Sequence, residues 1–243
     1  MAKIILDTCS WIDLAKPRFT EILDELEKQI KSENLVLLTN DIIIDEWKRN
    51  RERIAKEIVS SIKANAKSAL QLGNLMEKKD NEILLSLLEK YKSIEKEQIA
   101  LAELHISKVE KLLFSGERVS INNELKLFVL ERALTTLAPF HNKKNNVADA
   151  LIFYSIARHM KKYEIAIDLL FISMNYKEFC DPIDHSKLHL ELLGDVKGFA
   201  IHFFDNVGQA LKMKSSIVDE LDEYHEYQFW DWIDTQAEIA RGK

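Results

Sequence analysis

The sequence predicts an α/β fold in which a parallel sheet is flanked by helices and carries a helical insertion. Four short apolar stretches, each containing an acidic or amide side chain, indicate this fold: IILDT (4–8), IIIDE (42–46), VADAL (147–151) and FISMNYKEF (171–179). Long helix-forming segments separate the apolar runs. Strands that alternate with helices in this way are typical of doubly wound parallel sheets.

Apolar runs locate four strands of the predicted sheet. They cover residues 3–6, 35–39, 169–173 and 198–204. The first three are continuous apolar runs, as expected of strands that are buried on both faces. The AIHFF segment of the last one alternates between apolar and polar residues, which is compatible with an edge strand.

Spacings of three and four between apolar residues predict the helices. One covers 19–32, a second begins with Asp41 as its N-cap and carries Glu46, and two more cover 122–136 and 148–160. Residues 48–115 are almost all helix formers, with Gly73 as a break. We therefore expect one α/β domain over 1–210 with a helical insertion at about 49–115.

The last 33 residues differ in composition from the rest of the chain. Residues 211–243 combine many carboxylates with aromatic side chains such as Tyr224, Trp230 and Trp232. Acidic character disfavours nucleic-acid binding by this segment, because phosphates repel carboxylates. It is expected to form a helical tail that packs on the body or on a partner protein.

Bulk composition excludes several classes of protein. The 243 residues have a net charge of −6, which argues against a broadly basic nucleic-acid binder. Two cysteines are too few for a disulfide framework and lack zinc-ligand spacing. The N-terminal apolar run is too short for a signal peptide, and no stretch reaches the roughly 18 apolar residues of a membrane span. We expect a cytoplasmic protein without membrane contact.

Acidic and amide side chains are expected to meet at one edge of the sheet. Asp7 follows the first strand, Ser173 and Asn175 follow the third predicted strand, and Glu46 and Asp149 lie on helices that can face the same edge. Three carboxylates and an amide oxygen suit Mg²⁺ or Mn²⁺, which prefer hard oxygen ligands. The pattern therefore predicts a divalent-cation site.

Several of these residues also have simpler interpretations. Asp45 competes with Glu46, although helical phase places Glu46 with the buried apolar residues. Asp149 is also explained as an acid that interacts with a helix dipole, but its apolar neighbours indicate a buried face where a lone charge is costly. Asn175 and Glu178 have the spacing of a capping box, which is our preferred interpretation of Glu178.

In this order, the motifs resemble those of the PIN-domain family of metal-dependent ribonucleases. The similarity lies in IILDTCSW, IIIDEW, NNVADALI and LLFISMNYKEF, and it covers about residues 1–48 and 120–210. The closing segments LHLELLG and GFAIHFFDN are also similar. The resemblance does not explain the helical insertion or the tail.

The resemblance implies roles for individual residues. Asp7, Glu46 and Asp149 would be catalytic metal ligands, with Asn175 where the family often has a fourth Asp and Ser173 orienting the site. Asn175 brings no charge, so the metal affinity is expected to be lower. Cys9 stands where Asn or Ser is common, and is interpreted as a small buried filler.

Two basic runs flank the predicted site. KRNRER (48–53) follows Glu46 and HNKKNN (141–146) precedes Asp149. Such runs are often solvated surfaces. Their position nevertheless predicts phosphate-backbone contacts by Arg49, Arg53, Lys143 and Lys144. A lone loop histidine such as His141 is more often incidental.

The sequence thus predicts a Mg²⁺- or Mn²⁺-dependent endoribonuclease that acts on single-stranded or structured RNA. The resemblance implies a water that attacks phosphorus in line and leaves a 5′-phosphate and a 3′-hydroxyl. Alternatives are a catalytically weak RNA- or protein-binding module, a toxin–antitoxin or defence nuclease, and a structure-specific DNA nuclease. An inhibitor or partner at the helical insertion, and a homodimer, are also expected possibilities.

Overall fold

The computed structural model describes residues 2–73, 75–142, 146–162, 167–185, 187–196 and 199–214. Within these ranges the strands form a parallel five-stranded sheet of order β3-β2-β1-β4-β5. The strands are β1 (Ala2–Leu6), β2 (Leu35–Thr39), β3 (Glu117–Arg118), β4 (Asp168–Ile172) and β5 (Ala200–Phe204). The predicted α/β class with a parallel sheet is confirmed.

Strand β1 lies at the centre of the sheet, and its burial explains its apolar sequence. Ile4 pairs with Leu37 of β2 on one side and with Leu170 of β4 on the other. All five residues of β1 are buried. Strand β5 lies at an edge, as its alternating sequence indicated.

Strand β3 was not predicted from the sequence. Glu117 and Arg118 are polar and exposed, and they pair with Leu38 and Thr39 of β2. The buried ammonium group of Lys3 lies 3.1 Å from Glu117 Oε2. Tertiary contacts therefore define this strand, since two polar residues have no strand signal of their own.

Seven helices surround the sheet in the described ranges. They are α1 (Thr8–Leu14), α2 (Thr20–Lys31), α3 (Asp41–Gly73), α4 (Lys78–Ser115), α5 (Asn123–Leu134), α6 (Val147–Met160) and α7 (Val207–Lys214). Short 3₁₀ turns complete the connections. None of the helices in this part of the chain is long and apolar enough to span a membrane.

The start of α3 corrects one detail of the sequence analysis. Asn40, and not Asp41, is the N-cap, because its Oδ1 accepts the backbone N–H of Ile43 at 3.1 Å. Asp41 already belongs to the helix. Asn40 is buried at the end of β2, where its amide also lies 3.4 Å from Ser155 Oγ.

Helices α3 and α4 pack against each other and form a long hairpin that begins after β2 and returns to β3. Near the sheet, Trp47, Ile54 and Ile58 of α3 are buried together with Ile106 and Val109 of α4. Predicted residues 49–115 correspond to most of this hairpin. Residues 215–243, which include most of the predicted C-terminal tail, lie outside the described residues, and α7 crosses the predicted boundary at 210.

Candidate active site at the carboxyl edge of the sheet

Asp7 lies where β1 ends and α1 begins. Its Oδ1 accepts hydrogen bonds from the backbone N–H of Ser10 at 2.8 Å and from Ser10 Oγ at 2.7 Å, so it is the N-cap of α1. The side chain is buried. Burial raises the pKa of Asp7, although hydrogen bonds from Ser10, Ser173 and Met174 act in the opposite direction. The first turn of α1 thus holds the Asp7 carboxylate in a buried position, which disfavours its ionised form.

Glu46 lies near the start of α3 and faces the same edge. Its Oε2 accepts a hydrogen bond from Thr8 Oγ1 at 2.5 Å. Because Thr8 directly follows Asp7, this bond connects the two acidic residues. The Glu46 side chain is 28% exposed, whereas the whole of Asp45 is exposed and Trp47 is buried. The helical phase that favoured Glu46 over Asp45 agrees with this arrangement.

Asp149 lies in the first turn of α6 and is the acid most affected by its neighbours. Its Oδ2 accepts a hydrogen bond from Asn175 Nδ2 at 3.1 Å. The pKa of Asp149 is raised to about 6, first by burial and then by the charges of Asp7, Glu178 and Glu46, while the Asn175 hydrogen bond acts in the opposite direction. The structure therefore brings the three predicted carboxylates within electrostatic reach of one another.

Ser173 and Asn175 follow β4 and connect the acidic residues to the loop. The buried Ser173 accepts the backbone N–H of Asn175 on its Oγ at 3.0 Å. Asn175 uses its amide nitrogen towards Asp149. In this arrangement Asn175 orients a carboxylate as a donor, and its predicted role as an oxygen ligand remains a prediction.

Three further polar residues belong to this site: Thr8 and Ser10, which were not predicted from the sequence, and Glu178, which was assigned a capping role. Ser10 and Thr8 each hold one carboxylate, and Glu178 is buried close enough to Asp149 to raise its pKa. The capping-box interpretation of Glu178 is not the arrangement found, since the Asn175 N–H donates to Ser173 Oγ. An Asp N-cap followed by Ser three residues later was the signal that Ser10 offered.

Cys9 is exposed, which corrects its interpretation as a buried filler. Partial desolvation and then the charges of Asp7, Asp149, Asp13 and Glu46 raise the pKa of its thiol to about 11. The thiol therefore lies at the border of the acidic site. The charges that act on this thiol include those of all three predicted acids, so Cys9 lies near each of them.

Three other polar residues have partners outside this acidic group. Asp168 starts β4 at the opposite edge of the sheet, 3.5 Å from His202 Nε2, as the sequence indicated. Asp13 forms a 2.6 Å ion pair with Lys16. His141 stacks on His189, with ring centroids 5.0 Å apart.

The predicted phosphate-binding residues have different positions. Arg49 is exposed on α3, and its Nη2 lies 3.9 Å from Glu46 Oε1. Arg53 lies one turn further along and donates to Glu57 Oε1 at 2.6 Å. Lys143 and Lys144 lie outside the described residues, so their role remains a prediction.

The donor set fits a divalent cation chemically. It consists of hard carboxylate, amide and hydroxyl oxygens. The pKa of Asp149 is raised first by burial and then by the negative charges of Asp7, Glu178 and Glu46, so a cation beside it would stabilise its ionised form. Within the described ranges, however, no three His, Cys, Asp or Glu side chains form a group arranged to hold a metal ion. Each of the three predicted carboxylate ligands instead accepts a hydrogen bond from a neutral neighbour: Asp7 from Ser10, Glu46 from Thr8 and Asp149 from Asn175.

Comparison with known protein families identifies the domain that carries these residues. A family model described as PIN domain matches residues 4–179, which include all the site residues discussed above and more than half of the chain. Neither the curated proteins nor the solved structures gave a match.

Proposed function

Since this chain belongs to the PIN-domain family, we propose that it is a Mg²⁺- or Mn²⁺-dependent endoribonuclease that hydrolyses phosphodiester bonds of RNA. PIN domains are generally nucleases that use divalent metals, which supports an enzyme of the nuclease type. The observation that carries the proposal is that Asp7, Glu46 and Asp149 lie at the carboxyl edge of the sheet within electrostatic reach of one another, although their side chains are not arranged around a common metal position in this structure.

The three acids share one task in the proposed site, which is to bind the cation. Asp7, Glu46 and Asp149 would hold the cation, with Asn175 or Glu178 completing its surroundings. When bound, the ion supplies an acidified water and stabilises the charge that develops on the phosphodiester. Positive charge also stabilises the ionised form of Asp149, which otherwise has a pKa of about 6.

Neutral donors orient these acids before substrate arrives. The Ser10 hydroxyl holds Asp7, the Thr8 hydroxyl holds Glu46, and the Asn175 amide holds Asp149. Such outer partners fix the direction of a carboxylate and are important for metal sites. Phosphate groups on either side of the scissile bond would contact Arg49 and Arg53, together with Lys143 and Lys144.

The test is cleavage of labelled single-stranded RNA, structured RNA and flap DNA by the purified protein with Mn²⁺, Mg²⁺ or EDTA. We expect RNA to be cut only with metal, leaving a 5′-phosphate and a 3′-hydroxyl, and we expect Asp7→Asn and Asp149→Asn to be inactive. Preferential cleavage of flap DNA would replace the RNA assignment with a structure-specific DNA nuclease.

A second candidate is a binding module that holds RNA or a partner protein without cutting it. The observation in its favour is Asn175, an uncharged residue that donates to Asp149 where the family often has an acid. Binding of RNA without cleavage, with Mn²⁺ still raising the melting temperature, would support this candidate. Growth arrest on expression of an active protein would point to a toxin or defence nuclease.

A further inference from the structure

Helix α3 concentrates positive charge in a chain that is negative overall. Between residues 48 and 67 it contains seven Lys and Arg residues and two Glu residues, a local net charge of +5 in a protein of net charge −6. No acidic residue follows Glu57 in this helix. Local charge of this sign and density is the electrostatic feature of a surface that binds phosphate groups.

Most of these cations lie on one side of the helix. At 3.6 residues per turn, five of them fall within an arc of about 80°, and Glu46 lies about 20° beyond one end of this arc. We call this the outer face of α3, and it consists of Arg49, Arg53, Lys56, Lys63 and Lys67, all of which are exposed.

The remaining two cations of this segment point elsewhere. Arg51 lies 3.4 Å from Glu110 Oε2 and 3.6 Å from Glu103 Oε2 of α4. Lys48 lies over the ring of Phe114. These two cations help to hold the hairpin together, so the positive charge of the outer face is separate from the packing between α3 and α4.

The outer face of α3 is continuous with the proposed active site. Arg49 Nη2 is 3.9 Å from Glu46 Oε1, so the first cation adjoins the acidic group. From Arg49 to Lys67 the helix rises by about 27 Å, at 1.5 Å per residue. That length spans several consecutive phosphates of one nucleic-acid strand.

The acids on this surface do not block a phosphate. Arg53 pairs with Glu57 at 2.6 Å and Lys56 with Glu52 at 3.9 Å, and all four side chains are more than half exposed. Solvent-exposed ion pairs of this kind contribute little to stability. A phosphate can therefore replace the carboxylate as partner at low cost.

We propose that the outer face of α3 binds the phosphate backbone of the nucleic-acid strand that continues from the scissile bond. This proposal rests on the proposed nuclease function and adds a requirement for substrate length. A strand long enough to reach Lys56, Lys63 and Lys67 binds more tightly and is cut more efficiently than a short one with the same cleavage sequence.

The test compares two triple variants of the full chain. Lys56→Gln/Lys63→Gln/Lys67→Gln removes three cations of the outer face, and Lys126→Gln/Lys161→Gln/Lys162→Gln removes three exposed cations from α5 and from the end of α6. Binding in EDTA to labelled single-stranded RNAs of about 20 and about 5 nucleotides is measured over a salt series, followed by kcat/KM with Mn²⁺.

The outer-face variant should lose affinity for the long RNA and bind the short RNA normally. Its slope of log K against log salt should fall by about 2, since each lost phosphate contact removes about 0.7 on a single strand. For the long RNA, kcat/KM should fall to the value for the short one. The control variant should match the wild type in all these measurements.

Three results of the binding experiment would overturn the proposal. They are an unchanged salt slope in the outer-face variant, an equal loss in the control variant, and an outer-face variant that binds RNA normally while residues 215–243 become more susceptible to protease. The last result would show that the outer face of α3 binds the acidic tail of the chain instead of RNA. An equal kcat/KM of the wild type on long and short RNA would also overturn this proposal but leave the proposed nuclease function standing. A wild type that cuts no RNA would overturn the proposed function itself.

Discussion

Two regions of opposite charge meet in the first turns of α3, and the protein holds them in different ways. At the carboxyl edge of the sheet, Asp7 is buried, Glu46 and Asp149 are partly buried, and each accepts a hydrogen bond from one particular neighbour. On the outer face of α3, the cations are exposed and their pairs join neighbouring turns of one helix. Catalytic groups have to be held in fixed positions, whereas cations that attract a phosphate backbone can be mobile.

The difference also concerns stability. Buried carboxylates with raised pKa values destabilise the metal-free fold at neutral pH, because burial disfavours their charged form. Exposed cations carry no comparable penalty. Substitutions in the two regions should therefore differ in their effects. At the acidic edge, we expect a large loss of activity and a gain in metal-free stability. On the outer face of α3, we expect a modest loss of RNA affinity and no change in stability.

The largest effect is expected from Asp7→Asn and Asp149→Asn. Either change should lower kcat/KM by about 10³-fold or more, because a metal site contributes several kcal/mol to the transition state. In EDTA the melting temperature of both variants should equal or exceed that of the wild type, since a neutral amide replaces a desolvated carboxylate. Asp13→Asn, at an exposed ion pair, is the matched control. A variant at position 7 or 149 that keeps most of its activity would contradict this assignment.

A pH series on the metal-free protein examines the same acids without catalysis. The pKa of Asp149 is about 6 in the folded protein, compared with 3.8 for an unperturbed aspartate, so the folded state binds more protons than the unfolded state between these limits. The free energy of unfolding should therefore decrease as the pH rises from 4 to 7. The upper bound is about 3 kcal/mol at 1.4 kcal/mol per pKa unit, and partial exposure reduces it.

Urea titrations in EDTA measure this pH dependence. Asp7, whose pKa is also raised, contributes with the same sign. The Asp149→Asn variant should show a weaker pH dependence than the wild type, and equal slopes in the two proteins would show that Asp149 is not desolvated in solution.

An intermediate effect is expected from Thr8→Val. This change removes the hydroxyl that donates to Glu46 Oε2 and retains the shape of the side chain. Loss of such an orienting partner typically lowers metal affinity or activity by about 10- to 100-fold. The readouts are kcat/KM and Mn²⁺ affinity by calorimetry. Thr135→Val, at an exposed hydroxyl that donates to the Glu131 carbonyl, is the control. Equal losses in the two variants would assign the Thr8 effect to general destabilisation.

The smallest effect is expected from Arg53→Gln. The free energy of unfolding should stay within about 0.5 kcal/mol of the wild type, because the lost ion pair with Glu57 is exposed. Affinity for long RNA should fall a few-fold, with a decrease of about 0.7 in the salt slope. Arg118→Gln, which breaks an exposed pair with Asp41, should leave the salt slope unchanged. A large loss of stability in Arg53→Gln would contradict the contrast between the two regions.

Elements with a continuous apolar run or a long helix-forming segment were predictable from the sequence, and short elements that depend on a cap or a neighbouring strand were not. The helix-forming composition and Gly73 located the two helices of the hairpin, because propensity accumulates over many residues. Helix α1 has seven residues and depends on its Asp7 cap, and β3 has two residues that depend on Lys3 and β2. Tertiary contacts determine such elements, so local patterns do not reveal them.

The candidate site shows the same division. Asp7, Glu46 and Asp149 were predicted because each follows or interrupts an apolar run, which makes a carboxylate conspicuous. The pairing of Thr8 with Glu46 joins residues 38 positions apart, and Glu178 acts on Asp149 from another loop. Contacts between residues so distant in sequence are seen only in the folded structure. The same is true of the hydrogen bond that Asn175 donates.

The hairpin leaves and re-enters the sheet at almost the same place. Thr39, the last residue of β2, is paired with Arg118 of β3, and neighbouring strands lie about 4.8 Å apart. A Cβ atom at Gly116 would lie 3.2 Å from side-chain atoms of Leu37 and Thr39, so the returning chain passes close to β2. Between Ile58 and Ala102, Leu88 is the one buried hydrophobic side chain among those that the structure describes.

Such closely spaced ends make the outer hairpin a modular element. Whole turns can be added or removed beyond Ile58 and before Ala102 without displacing the strands, whereas the first turns, which carry Glu46 and Trp47, have to stay. The reach of the protein over its substrate can therefore change by lengthening or shortening two helices, while the catalytic edge remains the same.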